Sequence, residues 1–234
     1  ELACKLDHFA MTYLFYDIET TGLNNAFDQI LRFAAIRTDE RFREMDRHLI
    51  KVRLRDDVLP APEALLTHRA HKDEFFADDP HSPLPPAERE SFDGLDYFDP
   101  DPSYRVVVEL DEYEEKETIT VETTTEGERD YLVWGSFAFE VNGETVSLDA
   151  YRSEPEEMRL WVPFRDATSG DETYGAGRYL DLEDPDDREG DAWVLDFNYA
   201  YNPFCAYNEQ YECPLVPMEN WLEVPIRAGE KTYE

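Results

Sequence analysis

From Tyr104 onward the chain alternates apolar and polar positions in short runs, and turn-forming residues separate them. The runs are YRVVVEL, ETITVETTT, YLVWGSFAFEV, ETVSLDAY, RLWVPF, GRYLDLE, AWVLDF and LEVPI. Period-two alternation places the apolar side chains on one face of a strand and the polar ones on the other. About eight such strands, without any βαβ alternation, predict an antiparallel β-sandwich or barrel. Asn142-Gly143, between FAFEV and ETVSL, is the strongest hairpin signal, because both residues accept the positive φ a two-residue turn requires.

The first 100 residues read differently. Leu14–Ile18, Ile30–Thr38 and His48–Leu54 predict three strands, and TTGLNNAFDQ between the first two reads as a loop. Short connections favour an antiparallel meander. PEALLTHRAHKDEFFAD, Pro62 to Asp78, has helical character, and a Pro-rich turn then leads to a short helix, Pro86–Phe92. The expected fold is mainly β, of the α+β kind. It comprises a three-strand meander, one or two helices near residues 62–92, and the sandwich or barrel. The expected division is a leader 1–11 foreign to the rest, a meander 12–66 and a β-rich domain 67–234, with the junction near Thr67–Ala70.

Charge sharpens that division. Residues 1–69 hold 12 acids and 10 bases, whereas residues 70–234 hold 43 acids and 12 bases. Acid-rich segments are commonly disordered when aromatics are few, but this one carries all four Trp. A folded domain so acidic repels itself unless salt screens it, and at 1 M salt the Debye length is only about 3 Å. The expectation is a halophile's cytoplasm. The same field repels nucleic acid. No run reaches the roughly 18 apolar residues of a membrane helix. Cys4, Cys205 and Cys213 make an odd total, and the spacing of the last two fits no common zinc pattern, so free thiols are expected.

TYLFYDIETTGL, Thr12 to Leu23, sets Asp17 and Glu19 two positions apart in an apolar strand. Paired carboxylates on one strand face suit a divalent cation, and two such cations about 3.5–4 Å apart serve phosphodiester cleavage. FYDIETTGL, with DQILRFAAIRTD and DDVLPAPEALLTHR, resembles the opening of a DEDD-type 3′→5′ exonuclease of the exonuclease I branch. The likeness covers about Thr12 to Arg69. It implies Asp17 and Glu19 as catalytic metal ligands for Mg or Mn, two of the four acids such a site uses. The family's later acidic motifs do not follow. His68–Asp73 and Tyr97–Asp101 imitate the last motif but fall at the wrong place in the order.

HKDEFFADDPHSPLPPAERESFDGLDYFDPDPSYR, LWVPFRDATSGDETYGAGRYLDLE and WVLDFNYAYNPFCAYNEQYECPLVPMENWLEVPIRAGEK resemble domain of unknown function family 1684. The likeness spans about His68 to Thr232 and implies no particular reaction. Within it, FRDATSGDETYGAGRYLDL gathers Gly with Arg165, Asp166, Thr168, Tyr174 and Arg178. These residues suit either a phosphate- or carboxylate-binding loop or a long hairpin pairing its own charges. DFNYAYNPFCAYNEQYECP offers Asn198, Tyr201, Asn202 and Tyr207, either lining a ligand pocket or bonding a long loop's backbone. Glu219 and Arg227 either pair or line the same cleft.

The expected function is a small-molecule binding or enzymatic module joined to a catalytically incomplete exonuclease fragment. No cofactor is expected outside the exonuclease reading. The expected partner is a small molecule, with neither nucleic acid nor membrane, in the cytoplasm. Two alternatives stand beside it. One is a metal-dependent exonuclease acting on single-stranded DNA, and the other is a non-catalytic interaction protein that associates through the uncovered N-terminal sheet.

Overall fold

A computed structural model of the chain describes residues 13–20, 30–38, 44–51 and 61–233, with side chains from Glu63 onward. The chain divides into two compact units at Ala61/Pro62. In the first, β1 (Tyr13–Thr20), β2 (Ile30–Thr38) and β3 (Glu44–Lys51) form an antiparallel sheet in that order. This is the predicted meander. Its third strand starts at Glu44, ahead of the predicted His48, because pairing with β2 extends to Thr38 opposite Glu44. Along β1, Asp17 lies opposite Ala34 and Glu19 opposite Arg32. The leader, the loop at 21–29 and the side chains of Asp17 and Glu19 lie outside the described residues.

The second unit opens with α1 (Ala61–Asp78) and the single turn α2 (Pro86–Arg89). Its larger sheet runs β10 (Arg178–Glu183), β9 (Arg159–Phe164), β8 (Glu144–Arg152), β7 (Glu128–Val141). Two short strands, β5 (Asp111–Glu112) and β6 (Thr118–Glu122), share the outer edge of β7. The smaller sheet runs β11 (Arg188–Glu189), β12 (Ala192–Asp196), β4 (Arg105–Val108). All these pairings are antiparallel. The two sheets share one core, the arrangement of a sandwich. The hairpin between β7 and β8 turns at Asn142 (φ 53°) and Gly143 (φ 81°), as its residues require.

Period-two alternation fixes the core. Leu148 and Ala150 of β8, Leu160, Val162 and Phe164 of β9, and Leu180 and Leu182 of β10 point inward with Trp193 and Leu195 of β12. Burying each of the larger aliphatic and aromatic groups is worth about 1.5–3 kcal/mol. The intervening residues Tyr151, Trp161 and Tyr179 pack together on the opposite face of the larger sheet, with Val133 and Val216.

Strand β7 contributes to both faces with residues of one parity. Phe137, Phe139 and Val141 enter the core, yet Val133 joins the opposite cluster. The pairing with β8 slips between Val133 and Gly135, so a bulge at Trp134 reverses the alternation. Gly135 sits where a Cβ would meet the Asp111 carbonyl oxygen at 2.5 Å, which lets β5 approach closely.

LEVPI does not form a named strand, although Val224 and Ile226 are buried in the core. Pro225 has no N–H to give a ladder. Helix α1 turns Leu65, Arg69 and Phe76 inward, with Lys72 on the same stripe. Two basic residues on a buried face blur the apolar periodicity of this helix.

Asp187, in the acidic β10–β11 turn, accepts a hydrogen bond from the Glu183 backbone at 2.8 Å. Burial, then the charges of Asp186, Glu183 and Asp196, push its carboxyl up to about 6 against that hydrogen bond. The native state therefore keeps a proton that the unfolded chain releases near 3.8. The resulting stabilisation is complete below about pH 3.8 and is lost as pH rises through about 6. Asp187→Asn is expected to match wild type near pH 3.5 and to exceed it at pH 7.5 in urea melts. A difference that does not change with pH would contradict this account of the turn.

Candidate functional site

The residues singled out in the sequence fall mainly into buried networks. Arg178 is 1% exposed. Its guanidinium donates to Asp166 Oδ2 at 2.7 Å, to the Ile226 carbonyl at 2.7 Å, to the Glu230 carbonyl at 3.1 Å and to the Ala228 carbonyl. The other Asp166 oxygen accepts from the Thr168 backbone at 2.6 Å and from its hydroxyl. This set closes the loop between β9 and β10 onto the C-terminal segment.

Glu230 anchors a second network. It is 1% exposed and accepts from the Lys72 ammonium, the Asn202 backbone N–H at 2.7 Å and the Tyr207 hydroxyl. Burial, then the Glu230 charge, hold the Tyr207 phenol far above its usual pKa. Asn202 also donates from Nδ2 to the Lys231 carbonyl at 2.8 Å. Asn198 brackets Asp101 through both of its amide atoms, and Tyr201 donates to Asp181 at 2.6 Å. Sequence reading missed Glu230 and Lys72. The only signals were a lone Lys on a helix otherwise buried at that stripe and a Glu after a Gly with positive φ, Gly229 (φ 76°).

Arg165 is placed elsewhere. It follows β9 directly and shares the parity of Trp161, so it belongs to the face opposite the core. There the structure holds a cleft of about 1030 Å³. Val133, Asp149 and Tyr151 form its floor, Ile119 and Val121 of β6 one side, and the segment Leu215–Trp221 the other. Burial raises the Asp149 carboxyl, opposed by the Tyr113 hydroxyl at 3.2 Å and reinforced by Glu219. Burial likewise raises the Tyr151 phenol.

Asn220 builds the far wall. It is fully buried, accepts from the Asp149 N–H at 2.8 Å, and donates to the carbonyls of Asp149 at 2.9 Å and Pro163 at 2.7 Å. Its own carbonyl accepts from the Arg165 N–H at 3.0 Å. The sequence offered only a Pro immediately ahead of the short helical turn Met218–Asn220. Of the pair left open above, Glu219 lines the cleft, and Arg227 pairs with Glu172 at 2.8 Å.

Cys205 and Cys213 are buried free thiols. Cys213 Sγ accepts from the Cys205 N–H at 3.4 Å, and Tyr174 Oη lies 3.7 Å from Cys205 Sγ. Hydrogen bonding with the Cys213 thiol lowers the Cys205 pKa.

The residues imitating an exonuclease motif serve the scaffold. His68 packs edge-on to Tyr199, Asp73 accepts from the Leu95 N–H at 3.0 Å, the Arg69 guanidinium covers Tyr97, and Asp101 caps a helical turn at Ser103. Among the described residues no three His, Cys, Asp or Glu side chains converge to hold a metal ion. Among the described residues no helix is long and apolar enough to cross a membrane.

Fold and cleft together define an acidic antiparallel β-sandwich with a cleft on the face opposite its core. The chain belongs to the DUF1684 family of proteins of unknown function, whose model matches residues 90–231. An exonuclease model, RNase T, matches residues 14–129. The two overlap at 90–129, and there β4, β5 and β6 pair with β12 and β7 of the sandwich. A solution NMR structure of an uncharacterized protein of Haloarcula marismortui is 44% identical, with a TM-score of 0.59. That match covers 76% of this chain and 97% of the other. No curated protein matches this chain.

Whether the Glu230 network is scaffold can be measured. Glu230→Gln keeps an acceptor but leaves Lys72 without its counter-charge, and is expected to cost roughly 3 kcal/mol in urea melts, the low end for breaking a buried ion pair. Adding Lys72→Met is expected to restore at least half of that loss. Wild-type stability of Glu230→Gln would contradict a structural role.

Proposed function

We propose that the unit from Pro62 to Glu234 is a small-molecule binding module whose ligand occupies the cleft over Val133 and Tyr151. The cleft itself is the observation that carries this reading. At about 1030 Å³ it matches the upper size of small-molecule sites, about 300–1,000 Å³. It combines apolar and aromatic walls with a few polar groups, as such sites do. Of the nine ligand residues expected from the sequence, Arg165 alone lines the cleft, and this reading gives the other eight to the frame that positions it.

The test uses backbone amide shifts of the whole protein in molar salt against a set of small aromatic and aliphatic fragments. Shifts are expected to gather at Ile119, Val133, Tyr151 and Trp221, and Ala176→Trp, at the cleft margin, is expected to abolish them. Shifts gathered instead around Asn202, Tyr207 and Glu230 would move the site to the network described above and overturn this reading.

The exonuclease match motivates a second reading, in which the first unit cleaves DNA. We infer that this unit is catalytically incomplete, because the later acidic motifs of the exonuclease pattern do not follow Asp17 and Glu19, and no cluster of three metal-ligating side chains is present among the described residues. Two carboxylates alone do not hold two hard cations. End-labelled single-stranded DNA with Mg²⁺ or Mn²⁺ is therefore expected to remain intact. Nucleotide release by wild type that Asp17→Ala abolishes would establish the nuclease.

A further inference from the structure

Among the described arginines, Arg165 lines the cleft. Arg159, Arg178 and Arg227 each meet a carboxylate, and Arg69 and Arg89 are occupied by backbone carbonyls. Arg165 has its guanidinium carbon 4.2 Å from the centroid of the Trp221 ring, and its buried Nε has no hydrogen-bond partner. The neighbouring carboxylate, Asp166, is turned away to Arg178.

The geometry is fixed rather than incidental. The Arg165 backbone is clamped at both ends, its N–H to Asn220 at 3.0 Å and its carbonyl to the Leu222 N–H at 2.8 Å. Trp221, half exposed, is tethered through its indole N–H to the Val216 carbonyl at 3.1 Å. A buried donor without an acceptor costs about 1–3 kcal/mol. The edge of a guanidinium is matched to two oxygens of one planar or tetrahedral oxyanion. Arg152 shows the same stacking on Trp134, at 3.8 Å, and the same unpartnered Nε, but it does not line the cleft. It supplies an internal control.

We propose that the cleft takes a small organic oxyanion, a carboxylate or phosphate ester on a flat apolar body. The oxyanion meets the terminal Nη groups of Arg165, and the body lies along Trp221 and over Val133 and Tyr151. This rests on the cleft being the ligand site. Glu115, Glu117, Glu122, Asp149 and Glu219 also line it, so the long-range field opposes an anion. At molar salt that field is screened beyond about 3 Å, whereas direct charge-assisted hydrogen bonds at about 2.8 Å persist. The sum is a site that discriminates by contact rather than by attraction from a distance.

Benzoate, phenyl phosphate, benzyl alcohol and benzylamine, titrated into the whole protein in molar salt and followed by amide shifts, test the proposal. Benzoate or phenyl phosphate is expected to shift the cleft amides most tightly, the preferred one identifying the acid. Arg165→Ala is expected to weaken that binding at least tenfold, and Arg165→Lys, which keeps charge without the fork, by several-fold. Benzyl alcohol is expected to bind equally to both variants and wild type, and Arg152→Ala to change nothing. Benzyl alcohol or benzylamine binding the cleft as tightly as the acids, unaffected by Arg165→Ala, would overturn the ligand class and leave the cleft standing. No shift of cleft amides by any of the four would overturn the cleft reading and this proposal with it.

Discussion

The side chain of Asn220 is the constraint on which the cleft depends. A primary amide offers an acceptor and two donors in one plane, so it imitates the backbone groups of a strand. Asn220 uses them on the Asp149 N–H, the Asp149 carbonyl and the Pro163 carbonyl, at the margin where β8 and β9 leave each other. Those groups lack a ladder partner there, because β8 and β9 pair at Tyr151–Trp161. Leaving any of them buried and unpaired costs about 1–3 kcal/mol. The amide therefore seats the Leu215–Trp221 segment on the sheet and sets Trp221 beside Arg165.

The sandwich itself follows from alternation with one deliberate fault. Had β7 kept its register through Trp134, Val133 would enter the core and the outer face would lose part of its floor. The bulge lets one long strand serve two clusters, a core shared with the smaller sheet and an aromatic layer beneath the cleft. The acidic surface and the buried bases then divide the electrostatic roles. Arg178 and Lys72 are consumed internally by Asp166 and Glu230, and Arg165 lines the cleft.

Much of this was legible in the residues. Asn142-Gly143 marked the hairpin, and seven of the eight alternating runs became strands because period two survives without knowledge of the partner sheet. LEVPI failed through Pro225, a local rule that the alternation masked. The site was harder to read. Gly, Arg, Asn and Tyr crowd both ligand loops and loops that must satisfy their own buried backbone, and composition does not separate the two. Arg178 and Asn202 were conspicuous and are enclosed. Asn220 looked ordinary because its role depends on where β8 and β9 diverge. Glu230 and Lys72 lie 158 positions apart, and no local pattern joins them.

A crystal structure of the protein grown in molar salt with benzoate or phenyl phosphate tests the central claim most directly. The account predicts oxyanion density within about 3 Å of the Arg165 Nη atoms, with the ring against Trp221. A cleft without ligand, in which Arg165 has swung to the carboxylate of Glu219 or Asp149, would contradict it.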